Sequence, residues 1–213
     1  MDPAPRHRLR TDTDDGLLLI ISGPSGAGKT TITRAVERSI PGSVFSVSAT
    51  TRPKTDADVE GVDYHFVDDA AFEAMKRRGE FLECVDLFGK KYGTPRLWVE
   101  EQLARGRLVI LEIDVVGAIK VKEQMSEAFA VFILPPNEQV LLERLRARKR
   151  ECEEAIQKRF AEAQREILTA RTSQTGGRPI YDKFIVNDKL ELAIPDAVAA
   201  VLGERERRRL SRG

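Results

Sequence analysis

Residues Gly23-Pro24-Ser25-Gly26-Ala27-Gly28-Lys29-Thr30 fit the pattern GxxxxGK[ST], directly after a short apolar run and at the opening of a helical stretch. That spacing builds a phosphate cradle. Its glycines let the backbone turn tightly and aim successive N–H groups inward, and the start of the following helix adds the positive end of its dipole. Lys29 then reaches the β- and γ-phosphates of ATP. The Thr30 hydroxyl suits an Mg2+ ion that keeps most of its waters and bridges phosphate oxygens. A turn that merely joined strand to helix would have no use for the Lys-Thr pair. Motors, GTPases and small-molecule kinases share such a cradle, so it does not say what receives the phosphate.

Further chemistry-bearing residues lie downstream in Ser46-Val-Ser48-Ala-Thr-Thr-Arg52, Glu60-Gly61-Val-Asp63-Tyr64-His-Phe66, Glu80-Phe-Leu-Glu83 and Lys91-Tyr92-Gly93-Thr94. An arginine with tyrosyl hydroxyls suits a phosphate dianion, which needs donors in fixed directions. Leu108-Val-Ile-Leu-Glu112-Ile-Asp114 brings two acids to the carboxyl end of a buried strand, where ligands lie in open α/β sheets. The plain structural role for Asp114 is to cap the helix that follows. Arg144 and Arg148, at helical spacing, share a face and can reach a common anion, with Arg159 further along the same charged stretch.

The elements that must position these groups read as an α/β layer fold. Continuous apolar runs at Leu17–Ile21, Leu108–Ile113, Phe129–Leu134 and Phe184–Val186 alternate with helix-length amphipathic stretches, the pattern of a parallel sheet covered on both faces. Residues from about Ser46 to Pro95 break that rhythm and read as an insert, and a charged helical stretch from about Asn137 to Arg171 interrupts it again. Residues 1–15 and the closing Glu-Arg-Glu-Arg-Arg-Arg-Leu-Ser-Arg-Gly lack a periodic apolar face and are expected to be a disordered arm and a charged, disordered tail.

The chain has 213 residues, 41% of them hydrophobic, which is enough for a sizeable core. Lys and Arg total 35 against 34 Asp and Glu, a net charge of +1, so no global field draws the chain to nucleic acid or membrane. Cys84 and Cys152 are far apart and belong to no metal-ligand pattern. No apolar run approaches a membrane span, and a cytoplasmic location is expected. Cys84, Cys152, His65 and Trp98 lack partners at catalytic spacing and are assigned to packing.

Taken together and in this order, the cradle, S-x-TTR, G-x-[DH]-Y-x-F, EF[IL]E and YG[ST] segments resemble the guanylate kinase family over about Leu17 to Leu202. The resemblance implies a P-loop NTPase fold with a core at about 16–45, 96–136 and 172–204, a GMP-binding insert at about 46–95 and a lid at about 137–171. It implies transfer of a phosphoryl group from ATP to GMP with Mg2+ and no tightly bound organic cofactor. ATP binding falls to residues 23–31 and Asn187, the latter in a Val186-Asn187-Asp188 segment near the adenine site. Glu83 matches the family's guanine-reading carboxylate, and Ser48 and Thr94 match its O6-side hydroxyls. Arg52, Tyr64 and Tyr92 match the holders of the GMP phosphate. Glu112 and Asp114 are expected to face the space between the nucleotides, Asp114 with a catalytic role beside Lys29, Arg52, Arg144, Arg148 and Arg159. An AMP in place of GMP would leave buried polar groups unpaired.

The chain departs from the family pattern in three places. Thr55 stands where a second phosphate-binding arginine is usual, with Lys54 as a candidate substitute that lacks the planar fork. Lys149 replaces a usual glycine in the lid, and residues 172–179 form a longer segment that reads as an exposed loop. Two rivals keep part of the pattern: a phosphopeptide-binding scaffold module, which typically loses the cradle, and a sugar-phosphate kinase, which would drop the guanine-reading set. Acceptance of dGMP and the choice between monomer and homo-oligomer are left open.

Overall fold

The computed structural model describes residues 16–87, 89–147 and 152–212. The expected N-terminal arm, Lys149 and Arg148 lie outside these residues.

In chain order the elements are β1 (Leu17–Ser22), α1 (Lys29–Ser39), β2 (Val44–Phe45), β3 (Ala49–Thr50), β4 (His65–Phe66), α2 (Asp69–Arg77), β5 (Phe81–Leu87), β6 (Lys90–Pro95) and α3 (Arg96–Ala104). There follow β7 (Leu108–Glu112), α4 (Val115–Gln124), β8 (Phe129–Leu134), α5 (Glu138–Ala147), α6 (Glu153–Thr172), β9 (Gln174–Thr175), β10 (Arg178–Pro179), β11 (Lys183–Val186) and α7 (Leu190–Arg212). The four apolar runs of the sequence are thus strands β1, β7, β8 and β11. They belong to one five-stranded sheet of order β11-β8-β1-β7-β2. Its pairs β1 with β8, β8 with β11 and β2 with β7 run parallel, as Leu19 opposite Phe129, Phe184 opposite Phe132 and Val44 opposite Val109 record. Parallel neighbours require crossover connections, and the helices supply them. β1 and β8 are buried along their whole length, which explains why both read as unbroken apolar runs.

The chain divides into two compact units. One comprises the residues up to Leu18 together with Gly42–Leu111, the other Leu19–Pro41 together with Glu112–Gly213. Strand β1 runs through both. The Leu17 N–H donates to the Arg107 carbonyl at 3.1 Å within the first unit, and the Ile21 carbonyl accepts from Ile113 at 3.3 Å within the second.

The first unit also carries a four-stranded sheet of order β4-β3-β6-β5. Its core is Ala49, Phe72 and Phe81, the two rings stacked at 4.6 Å, with Cys84 packed against them. In the second unit α5 and α6 close on Leu141, Leu145, Ile156 and Ala163, and Arg146 pairs with Glu153 across their junction at 2.5 Å.

Two segments depart from expectation. Residues 174–179 form a hairpin, β9 with β10, turning on Gly176 and Gly177 at φ 56 and 75. Successive left-handed residues make the turn whose twist suits a two-residue hairpin, and Gly-Gly adopts it without strain. The expected disordered tail instead continues α7 to Arg212. Glu204 accepts from Arg207 and Arg208 at 2.8 and 2.6 Å, and Arg208 also donates to the Glu127 carbonyl. Acid-before-base pairs at helical spacing, with cations at the helix's carboxyl end, support the extension. Among the described residues no helix is long and apolar enough to cross a membrane.

Phe132 sits fully buried in β8 with the Tyr181 and Phe184 rings at 4.9 and 5.8 Å. Phe132→Ala is expected to cost about 3–5 kcal/mol, seen as a lower urea midpoint.

Candidate active site

The phosphate cradle follows β1, and its shape depends on two glycines. Gly28 caps α1 at φ 87, and a Cβ there would lie 2.4 Å from the Asn187 amide nitrogen; one at Gly23 would lie 2.4 Å from the Ile133 carbonyl oxygen. Only glycine satisfies both the left-handed backbone and the close approach. The loop's carbonyls are engaged by side chains: Asn187 Nδ2 donates to the Ala27 carbonyl at 2.7 Å, and Lys29 Nζ to the Pro24 carbonyl at 3.2 Å. Asn187 is buried, and its Oδ1 has no partner among the described residues.

Thr30 and Thr31 are exposed on the first turn of α1. Thr30 Oγ1 donates to Glu112 Oε1 at 2.6 Å, while Glu112 Oε2 is buried without a hydrogen-bond partner among the described residues. The strand-end acid is therefore beside the cradle's hydroxyl, a partnership that sequence spacing did not reveal because 82 residues separate the pair. Asp114 caps α4, accepting from the Gly117 N–H at 2.8 Å. Burial pushes its carboxyl above the ordinary range, the Gly117 bond and nearby Lys120 and Lys29 partly offsetting this.

From the lid, Arg144 Nη2 donates to the Asp188 carbonyl at 3.2 Å, and its Nη1 is buried without a partner among the described residues. Arg159 is half-buried on α6. Glu166, also on α6, was not singled out in the sequence, where it is one carboxylate in a charged run. Burial pushes its carboxyl up to about 7, with Lys29 opposing the shift and Asp114 and Glu162 adding to it.

In the other unit, antiparallel pairing of β5 with β6 sets Glu83 opposite Thr94. Both are buried, and Thr94 Oγ1 donates to Glu83 Oε1 at 2.7 Å. Ser48 is half-buried just before β3, where its carbonyl accepts from the His65 N–H at 2.9 Å. Arg52, Tyr64 and Tyr92 come together: the Arg52 guanidinium lies 5.1 Å from the Tyr64 ring centre, and the Tyr64 and Tyr92 rings are 5.7 Å apart. The Phe66 ring is 5.4 Å from the same guanidinium. Lys54 is exposed and forms no ion pair among the described residues. Instead Asp58 joins the group, bound to Arg52 through both carboxylate oxygens at 2.8 and 3.0 Å. The Thr55-x-x-Asp58 spacing, a common polar-turn pattern, was the signal available in the sequence.

Two packing assignments give way. Cys152 is exposed at the start of α6, and His65 is exposed with Nδ1 3.5 Å from Glu60. The nearby cores are filled without them, by Ile156 and Ala163 on α6 and by Ala49, Phe72 and Phe81 beneath the four-stranded sheet.

The Glu166 shift has a sign that can be tested. A carboxyl whose folded pKa exceeds its unfolded value of about 4.3 holds its proton more tightly when folded. Its contribution to stability is full below that value and is lost as pH rises through about 7. Glu166→Gln is therefore expected to raise Tm relative to the parent by more at a pH about one unit above 7 than at a pH of about 5, as a thermal melt series would read.

The guanylate kinase family model matches residues 16–204. A guanylate kinase of Symbiobacterium thermophilum is 45% identical over 192 residues, covering 90% of this chain and 87% of the relative. Among solved structures, guanylate kinase from Anaplasma phagocytophilum aligns with TM-score 0.70 at 30% identity, covering 92% of this chain and 89% of the other. A gluconokinase from Sinorhizobium meliloti aligns with TM-score 0.50 at 17% identity over 92% of this chain and 97% of its own, a likeness of fold alone. With the cradle intact and the family match spanning nearly every described element, the chain belongs to the guanylate kinase family.

Proposed function

We infer that the chain transfers the γ-phosphoryl group of ATP to GMP, giving ADP and GDP, with each unit holding one nucleotide through the residues described above. The observation that carries the acceptor assignment is the buried Glu83–Thr94 pair. Guanine presents adjacent N–H donors at N1 and N2, which a carboxylate accepts, whereas adenine offers an acceptor at N1 and no N2 amine. A buried carboxylate faced by adenine would lose its hydrogen bonds to water with no replacement. Because Thr94 gives its proton to Glu83, it orients the carboxylate; donation to O6 then falls to Ser48, or to Thr94 only at the cost of releasing Glu83.

The nucleophile is a GMP phosphate oxygen already ionised at neutral pH, so no side chain has to remove a proton. Positioning and charge neutralisation supply the catalysis. Arg52, Tyr64 and Tyr92 hold the acceptor phosphate, while Lys29 and the backbone N–H groups of residues 25–30 hold the donor phosphates. Arg144 keeps an unused buried N–H for the transferring group, and Arg159 and Arg148 add charge from the lid. Asn187 retains an acceptor, Oδ1, on the ATP side. Thr30 and Glu112 fit Mg2+, since a hydroxyl and a carboxylate with a buried unpartnered oxygen are the hard donors that ion prefers. Held there, Mg2+ would supply positive charge to offset that of the donor phosphates during transfer. Asp114, occupied by its cap, acts by fixing the start of α4. A cytoplasmic setting, where both nucleotides are at hand, completes the reading.

A coupled ADP-release assay offering GMP, dGMP, AMP, CMP and UMP in parallel tests the acceptor. Turnover with GMP and none with AMP is expected; equal rates with both would remove Glu83 from its role. Lys29→Ala is expected to lower kcat by roughly two to three orders of magnitude, and parental turnover in that variant would sink the cradle assignment.

A further inference from the structure

The position where the family pattern has a second arginine is occupied here by Thr55, and its backbone N–H and Oγ1 both donate to Asp58 Oδ2 at 2.7 Å. The same Oδ2 accepts from Arg52 Nη1 at 3.0 Å, and Oδ1 accepts from Arg52 Nη2 at 2.8 Å. Nη1 also donates to the Pro53 carbonyl at 3.1 Å. Both Nη1 protons and one Nη2 proton are thereby used. A guanidinium has five N–H donors in a rigid plane, so Nε–H and the second Nη2–H are left, and these lie side by side on one edge. Two parallel donors on an edge match two oxygens of a phosphate. The plane is fixed from another direction by the Tyr64 and Phe66 rings, at 5.1 and 5.4 Å.

We propose that Asp58, anchored by Thr55, is the residue that positions Arg52, gripping one end of the guanidinium so that its Nε–Nη2 edge is presented to the acceptor phosphate. This rests on the reading that Arg52 holds the GMP phosphate. Where a second arginine would bring more charge, this chain brings orientation through a carboxylate that is itself held by two donors. The bonds from Arg52 and Thr55 keep the Asp58 carboxyl far below the usual carboxylate range, so it is ionised at neutral pH.

Steady-state kinetics of Asp58→Asn, Asp58→Glu, Thr55→Val, Arg52→Ala and the Arg52→Ala/Asp58→Asn double variant test the proposal, with Tm recorded for each. Asp58→Asn is expected to raise KM for GMP on the order of tenfold with KM for ATP within about twofold. Thr55→Val shifts KM for GMP the same way by less, and Asp58→Glu recovers most of the loss. On the Arg52→Ala background, Asp58→Asn adds nothing, because a residue acting through Arg52 has no effect without it. A KM for GMP unchanged or lowered in Asp58→Asn, or a full extra loss in the double variant, overturns the proposal. If Asp58→Asn fails to fold, Thr55→Val alone decides, and an unchanged KM for GMP there counts against it. Arg52→Ala separates the two readings: an unaltered KM for GMP in that variant removes the phosphate role of Arg52 itself, whereas a raised one beside an innocent Asp58→Asn removes only the positioning.

Discussion

A backbone that binds an anion must turn its N–H groups inward, and the same turn pushes its carbonyl groups outward, where they need donors of their own. In this chain those donors come from remote and local side chains. Asn187 reaches the Ala27 carbonyl across 160 positions of sequence, and Lys29 closes on the Pro24 carbonyl from within the loop. The left-handed Gly28 lets the amide come so close that no side chain would fit between them. Strand β11 matters to phosphate binding for this reason: it delivers Asn187 to the loop from the edge of the parallel sheet.

A comparable economy governs the acceptor side. Polar side chains there are held by one another before any substrate arrives, Glu83 by Thr94 and Arg52 by Asp58. A group already oriented loses less freedom when a ligand binds, so more of its interaction appears as affinity or rate. The cost is competition, since each internal bond uses donors or acceptors that the nucleotide could have taken. At Arg52 the competition is resolved by geometry, because a planar fork has two usable edges.

Much of this was legible from residues alone. The cradle announced itself because a short spacing in a strand-then-helix context has one chemical use, and the buried strands did so because a sheet covered on both faces leaves continuous apolar runs. The Glu83, Thr94, Arg52, Tyr64 and Tyr92 set was legible only through the order of several segments together, since each alone reads as an ordinary packing or surface residue. What stayed hidden depends on distance in sequence or on competition between partners. Thr30 with Glu112 and Arg144 with Asp188 are tertiary meetings that no local pattern encodes. Thr55 looked like the loss of a binding group, and only the loop's path shows it turned toward Asp58. The basic carboxyl end has the composition of a solvated tail, and its helix depends on the spacing of Glu204 against Arg207 and Arg208.

Asn187 also carries a chemical vulnerability. Hydrolysis of its side-chain amide would yield a carboxylate of nearly the same size and shape, yet a carboxylate has no N–H to give. The lesion would set an acceptor against the Ala27 carbonyl in a buried site and release the loop that the amide holds. Burial limits the access of water to that amide, so the packing that places Asn187 under the phosphate loop also slows the ageing reaction that would disable it.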